Sequence, residues 1–156
     1  MLEIAVITVS DRAYHGDYED LSGPAIKEII QNSSVSAKVT LSIVPDEKEQ
    51  IMKSFTENSG KDYIITTGGT GISPRDITPD VTQNFCQKEL PGISEMLRRE
   101  SYTETQFAVF SRAFCGIKRN TIIINFPGSV KAVKLCTRLM IPILEHGIKM
   151  LHGGKH

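Results

Sequence analysis

The chain has 156 residues, 40% of them hydrophobic, and its 18 Lys plus Arg are balanced by 18 Asp plus Glu. That size and composition suit one globular domain with a sizeable core. Zero formal charge, no tryptophan and few aromatics argue against a broad nucleic-acid face, which needs a local excess of cations and rings on which bases stack.

No apolar run reaches the ~20 residues of a membrane-spanning helix. The opening Met1-Leu2-Glu3-Ile4-Ala5-Val6 has an acidic residue and no basic leader, so no signal peptide is read. Cys86, Cys115 and Cys136 stand far apart without CxxC spacing. Reduced thiols in the cytoplasm are the expectation, with neither a zinc site nor a disulfide framework.

Leu2 to Val9 is β-branched and apolar apart from Glu3 and Thr8, which predicts a buried parallel strand. Ser10 to Ser22 reads as a long polar loop. Gly23-Pro24 opens a helix with Ala25, Ile26, Ile29 and Ile30 on its inner stripe. Ala37 to Val44 alternates as a second strand. Pro45-Asp46-Glu47-Lys48-Glu49 starts a second helix facing inward through Ile51, Met52 and Phe55, and Asn58-Ser59-Gly60 ends it. Tyr63 to Thr67 is a third strand, running straight into Gly68-Gly69-Thr70-Gly71.

Thr78-Pro79 reads as an N-cap and first residue of a helix toward Gln87. Pro91-Gly92 breaks the chain, with a further helix from Ser94 to Glu100; Val109 to Ile117 gives no clear pattern. Ile122 to Phe126 is a buried strand ended by Pro127-Gly128-Ser129. Ser129 can cap an amphipathic helix carrying Val133, Cys136, Met140 and Ile143, which Pro142 divides. Gly153 to His156 reads as a frayed tail. Strands alternating with helices predict an α/β fold: three layers, an open and mostly parallel sheet with helices on both faces. Residues 1–156 read as a single domain without repeat or linker.

In such a sheet ligands bind beyond the carboxyl ends of the strands. The strand exits carry Ser10-Asp11-Arg12, then Pro45-Asp46, then Thr67-Gly68-Gly69-Thr70-Gly71 followed by Pro74-Arg75-Asp76, and finally Pro127-Gly128-Ser129. The glycine loop can turn tightly and offer successive amides to a phosphate, or be a plain turn. It is neither a Walker A motif nor GxGxxG, which disfavours a P-loop ATPase and a dinucleotide-binding enzyme.

Asp46 and Asp76 could hold a magnesium ion that bridges nucleotide phosphates, since that ion needs only one or two protein carboxylates plus water. Asp46 with Glu49 also forms a pattern close to a capping box, and Asp76 could pair with Arg75. Asp80, in a first helical turn, suits the helix dipole. Arg12, Arg75 and Arg112 are candidate anion contacts, because a guanidinium donates two parallel bonds to phosphate. Ser10, Ser111 and Ser129 could donate to phosphate; Ser129 could equally be an N-cap. The four histidines form no ligand cluster and no nucleophile–His–Asp triad is seen.

These motifs, in this order, resemble the MogA/MoaB family, which includes the plant Cnx G domain and the gephyrin G domain. The matching residues are Thr8-Val9-Ser10-Asp11-Arg12, Asp17, Ser22-Gly23-Pro24, Val44-Pro45-Asp46, Thr66 to Gly71, Pro74 to Asp80, Leu90-Pro91-Gly92, Ser111-Arg112 and Ile124 to Ser129. Phe126 departs from the more usual leucine or methionine, and the C-terminal end is shorter than in some members.

The resemblance implies a molybdopterin-binding fold, assembly as a homotrimer, and transfer of AMP from ATP to molybdopterin with magnesium. Transient contact with other proteins of molybdenum cofactor biosynthesis goes with that role. Asp46 and Asp76 match the two family aspartates tied to catalysis, and the glycine loop matches the phosphate region. Arg75-Asp76 favours the MogA branch; the alternative is a non-catalytic MoaB-like molybdopterin-binding protein.

Overall fold

The computed structural model describes residues 1–155. Six strands form one sheet: β1 (Leu2–Val9), β2 (Ala37–Val44), β3 (Tyr63–Thr67), β4 (Lys88–Glu89), β5 (Cys115–Lys118) and β6 (Thr121–Phe126). Their spatial order is β2-β1-β3-β6-β5-β4. β2, β1, β3 and β6 pair in parallel, and β5 is antiparallel to both of its neighbours.

Alternation along the strands feeds two cores. On one face Ile4, Val6, Tyr63, Ile65, Ile122, Ile124 and Phe126 pack against helices α2 (Ser22–Gln31), α5 (Pro91–Glu104), α6 (Val130–Met140) and α7 (Leu144–Leu151). On the other, Ala5, Ile7, Val9, Ile64 and Ile123 meet α3 (Lys48–Glu57) and α4 (Thr78–Phe85). Period-two burial with apolar residues at both phases is what a sheet covered on both sides requires. The expected three-layer α/β architecture is the one observed.

The topology positions the site. From β1 the chain crosses to β2 on one side and then to β3 on the other, so the strand order reverses between β1 and β3. At such a switch point the two crossovers diverge and leave a crevice at the carboxyl ends. The register keeps the exits level: Val9 pairs with Val44, Thr8 with Thr67, and Thr67 with Phe126. Ser10, Pro45, Gly68 and Pro127 therefore leave the sheet side by side.

Several local expectations change. Within the predicted loop Ser10–Ser22, residues Asp11–Tyr14 form a short helix, α1, because Ser10 Oγ accepts the Ala13 amide at 3.2 Å. The capping box at Asp46 does not form: Glu47 is the cap residue of α3 and makes no side-chain cap bond, while the Asp46 carboxylate turns to another strand exit. Thr78 is the first residue inside α4 rather than its cap. Pro91 does not break the chain but occupies the first position of α5, where its missing N–H is harmless.

The unpatterned stretch resolves into a 3₁₀ turn at Gln106–Phe110 and the strand β5. Two elements follow expectation closely. Ser129 caps α6 by accepting the Ala132 amide at 3.2 Å. Pro142 lies in the 3₁₀ turn Ile141–Ile143 that separates α6 from α7. Of the expected C-terminal tail, His156 lies outside the described residues.

Candidate functional site at the switch point

Beyond β1, β3 and β6 lies an open cleft lined by Ser10, Asp46, Thr67, Gly68, Gly69, Asp76 and Gly128, together with Thr8, Tyr18, Asp20 and Ser22. The glycine loop forms its floor. Gly68 has φ +97° and Gly69 φ +65°, values that favour glycine. A Cβ on Gly68 would lie 2.4 Å from the Val9 carbonyl oxygen; one on Gly69 would lie 2.4 Å from Thr78 Oγ1 and 3.0 Å from Asp46 Oδ1. The close approach of three chain segments thus depends on these two residues lacking side chains.

The hydrogen bonds leave several main-chain donors unused at and beside the cleft. The Gly68 amide donates to Phe126 O, and the Thr78 amide donates to Gly69 O. Thr67 Oγ1 donates to Pro127 O at 2.8 Å, and Ser22 Oγ to Gly128 O at 2.7 Å. Those bonds tie down the carbonyls of both loops. Among the described residues, the amides of Gly69, Thr70, Gly71, Gly128 and Ser129 donate to no protein acceptor. The last two open α6, so its N-terminal dipole adds to their pull on an anion. Thr78 Oγ1, fully buried against Gly69, is also without a partner.

The two acids share a pattern. Asp46 accepts the Asp11 amide through Oδ2 at 2.9 Å. Asp76 accepts the Ser73 amide through Oδ2 at 3.0 Å. Among the described residues neither Oδ1 takes a hydrogen bond. Burial pushes the Asp46 carboxyl above the ordinary carboxylate range. The Asp11 amide and Arg75 partly offset this, and the charges of Asp11 and Asp76 add to it. A half-buried acid held up in this way gains from a cation at its free oxygen.

The remaining candidates separate. Ser10, Thr67, Gly68, Gly69 and Gly128 line the cleft; Thr70, Gly71 and Ser129 adjoin these in the chain without lining it, and Pro127 lines a separate cavity with Ser111. The Asp11 carboxylate is fully engaged. It accepts the Asp46 amide at 3.0 Å and both Nε and Nη2 of Arg75, at 2.8 and 2.9 Å. Arg75 therefore pairs with Asp11 and not with its neighbour Asp76. Arg12 is exposed and lies over the Tyr18 ring, 5.2 Å from its centroid. Ser111 is not brought to the cleft; it lines a small apolar cavity with Ser94, Asn125, Pro127 and Cys136.

Arg112 reaches Asp80, whose carboxyl it holds below the usual range by hydrogen bonding. Sequence reasoning missed Asp20 as a site residue. It accepts the Thr8 hydroxyl at 2.8 Å and the Ser22 and Gly23 amides at 3.1 Å each, fixing the start of α2 beside the cleft. The signal was present: an aspartate two residues before Ser22-Gly23-Pro24 is placed to bond the first amides of a helix.

Residues 5–146 match a family model described as a probable molybdopterin binding domain. The chain is 38% identical over 157 residues to a molybdopterin adenylyltransferase of Helicobacter pylori, covering 98% of this chain and 89% of that protein. It is 38% identical over 153 residues to the molybdenum cofactor synthesis protein cinnamon of Drosophila melanogaster; 96% of the chain is covered, but only 26% of that longer protein. Among solved structures, the molybdopterin biosynthesis enzyme MoaB of Thermus thermophilus superposes with a TM-score of 0.87 at 33% identity, with 98% of each chain covered.

Proposed function

The chain belongs to the molybdopterin-binding domain family, and from that premise we propose that it is a molybdopterin adenylyltransferase acting in molybdenum cofactor biosynthesis. It transfers AMP from ATP to molybdopterin and releases pyrophosphate. The observation that carries this reading is the pairing, in one cleft, of unpaired main-chain amides with two carboxylates that each keep one oxygen free.

The terminal phosphate oxygen of molybdopterin attacks the α-phosphorus of ATP. A new P–O bond forms, and the bond to the bridging oxygen of the β-phosphate breaks. Such a substitution needs alignment and charge stabilisation more than covalent help. The amides of Gly69, Thr70 and Gly71 receive one set of phosphate oxygens, and those of Gly128 and Ser129 at the head of α6 receive the other. Ser10 and Thr67 flank the two phosphate groups. Asp46 and Asp76 fit a magnesium ion, since each offers one hard, unshared oxygen and that ion takes one or two carboxylates while keeping water. When bound, magnesium neutralises charge on the departing pyrophosphate.

Assembly as a homotrimer, a cytoplasmic location and transient contact with other cofactor-biosynthesis proteins go with this reading. Among the described residues no helix is long and apolar enough to cross a membrane. The homotrimer is checked by light scattering of the purified chain.

The deciding experiment supplies purified protein with molybdopterin, ATP and magnesium and measures adenylylated molybdopterin and pyrophosphate. Product that needs magnesium, and disappears in Asp46→Asn and Asp76→Asn, is expected. Tight pterin binding without product, in folded protein, would instead mark a non-catalytic molybdopterin-binding protein.

A further inference from the structure

We propose that Arg112 is a positioning residue for the Asp76 carboxylate, clasping the loop between Thr70 and Asp80 at both ends and in the middle. The inference rests on the metal role of Asp76 proposed above.

The Arg112 amide donates to Thr70 O at 2.8 Å. Its Nε donates to Gly71 O at 3.0 Å, and Nη2 donates to Asp76 O. Nη1 and Nη2 make a forked pair with Asp80 Oδ1 and Oδ2, each at 2.9 Å. The fork, Nε and the main chain are thus all turned to the loop, which is a poor arrangement for meeting a substrate anion.

Within the loop run only short-range bonds: Ser73 N to Asp76 Oδ2, Asp76 N to Ser73 O, and Ile77 N to Arg75 O. Besides Arg112, two ties lead out of it: the Thr78 amide to Gly69 O, and the largely exposed Arg75 fork on Asp11 at the exit of β1. Arg112 alone links the loop to α5 and β5, because both its neighbours are anchored. Arg98 of α5 donates to Ser111 O at 3.0 Å and to Ala113 O at 3.3 Å, and β5 begins two residues later. Asp76 is therefore held from α5 and β5 through one guanidinium, in addition to the tie that its neighbour Arg75 makes to Asp11. Lysine cannot replace it, because a point charge with rotatable donors does not match a carboxylate and two carbonyls in fixed directions.

The test compares wild type with Arg112→Lys and Asp80→Asn. Mn2+ binding is followed by the electron paramagnetic resonance signal of the free ion, with a non-hydrolysable ATP analogue present. Molybdopterin affinity is followed by fluorescence. Both variants are expected to weaken Mn2+ binding by roughly 10- to 100-fold while leaving molybdopterin affinity within about twofold, the pattern of lost support behind a metal ligand. Excess magnesium should restore part of the turnover.

Weaker molybdopterin or nucleotide binding in Arg112→Lys at unchanged Mn2+ affinity would make Arg112 an anion contact and overturn the proposal. So would unchanged Mn2+ binding in Asp80→Asn. Should Arg112→Lys not fold, Asp80→Asn decides alone, since that side chain is 55% exposed. Wild type that binds Mn2+ but makes no product fails the adenylyltransferase reading and leaves the Mn2+ comparison standing. Wild type that binds no Mn2+ overturns the clamp.

Discussion

Asp11 and Asp46 exchange hydrogen bonds: the Asp11 amide donates to Asp46 Oδ2 at 2.9 Å, and the Asp46 amide donates to Asp11 Oδ1 at 3.0 Å. Each carboxylate thus fixes the other's main chain across the exits of β1 and β2. The exchange also aims Asp46, because with Oδ2 engaged its Oδ1 is left toward Gly69 and the cleft.

Asp46→Asn is expected to abolish turnover yet raise stability at neutral pH without metal. The wild-type carboxyl is raised above its ordinary value in the fold, chiefly by burial. Between the unfolded and folded values the folded state holds more protons, so stability falls as pH rises through that window, and the full penalty persists above it. Asparagine keeps an acceptor for the Asp11 amide and removes the charge. Urea denaturation at several pH values should show a gain at pH 7 that vanishes below the ordinary carboxylate range. Activity should show an acidic limb above that range, moving downward as magnesium is raised.

Asp11→Ala removes the partner of the Asp46 amide and both bonds from Arg75. We expect a loss of about 1–2 kcal/mol, most of it from the part-buried amide. The Arg75 pair is largely exposed on the arginine side, and such pairs contribute about 0–1 kcal/mol. Arg75→Ala should therefore cost less than Asp11→Ala in the same urea titration.

Gly68→Ala and Gly92→Ala should move stability in opposite directions. Gly68 has φ +97° and no room beside the Val9 carbonyl, so a methyl there should cost at least about 1–3 kcal/mol and spoil the amide cradle. Gly92 sits in the first turn of α5 with open space around it; alanine there should add about 0.4–1 kcal/mol by narrowing the unfolded ensemble. Paired thermal melts check both.

Asn125→Leu should be among the most destabilising single changes. Asn125 is buried, donates to Thr66 Oγ1 and Thr82 Oγ1 at 2.9 Å each, and accepts the Phe114 amide at 3.1 Å. Leucine leaves Thr66 Oγ1 and the Phe114 amide without partners, at about 1–3 kcal/mol for each buried group left unsatisfied, while Thr82 Oγ1 keeps its bond to Thr78 O. A midpoint in urea close to that of wild type would show that the threonines re-pair among themselves.

The sequence by itself determined β1, β2, β3 and β6, most of the helices, and the edge on which the candidate site lies. β-branched runs such as Ile4–Val9 and Ile122–Phe126, broken by proline and glycine, specify buried strands because periodicity and turn chemistry act over a few residues. The glycine loop and Asp46 stood out for the same reason, since each follows a strand directly; Asp76 stood out in the loop that the glycines open. Tertiary structure alone decided the partners. Arg112 looked like an anion contact, and it turns to Asp80, Asp76 and Gly71, more than thirty positions away in sequence. Asp46 read as a magnesium carboxylate or a cap, and it meets Asp11 because β1 and β2 pair with their ends in register. Ser111 looked like a ligand donor, and it lines a separate cavity beneath α5. A side chain's hydrogen-bonding capacity is fixed by its chemistry, but which group satisfies it depends on strand order and register, and those emerge only when the whole sheet assembles.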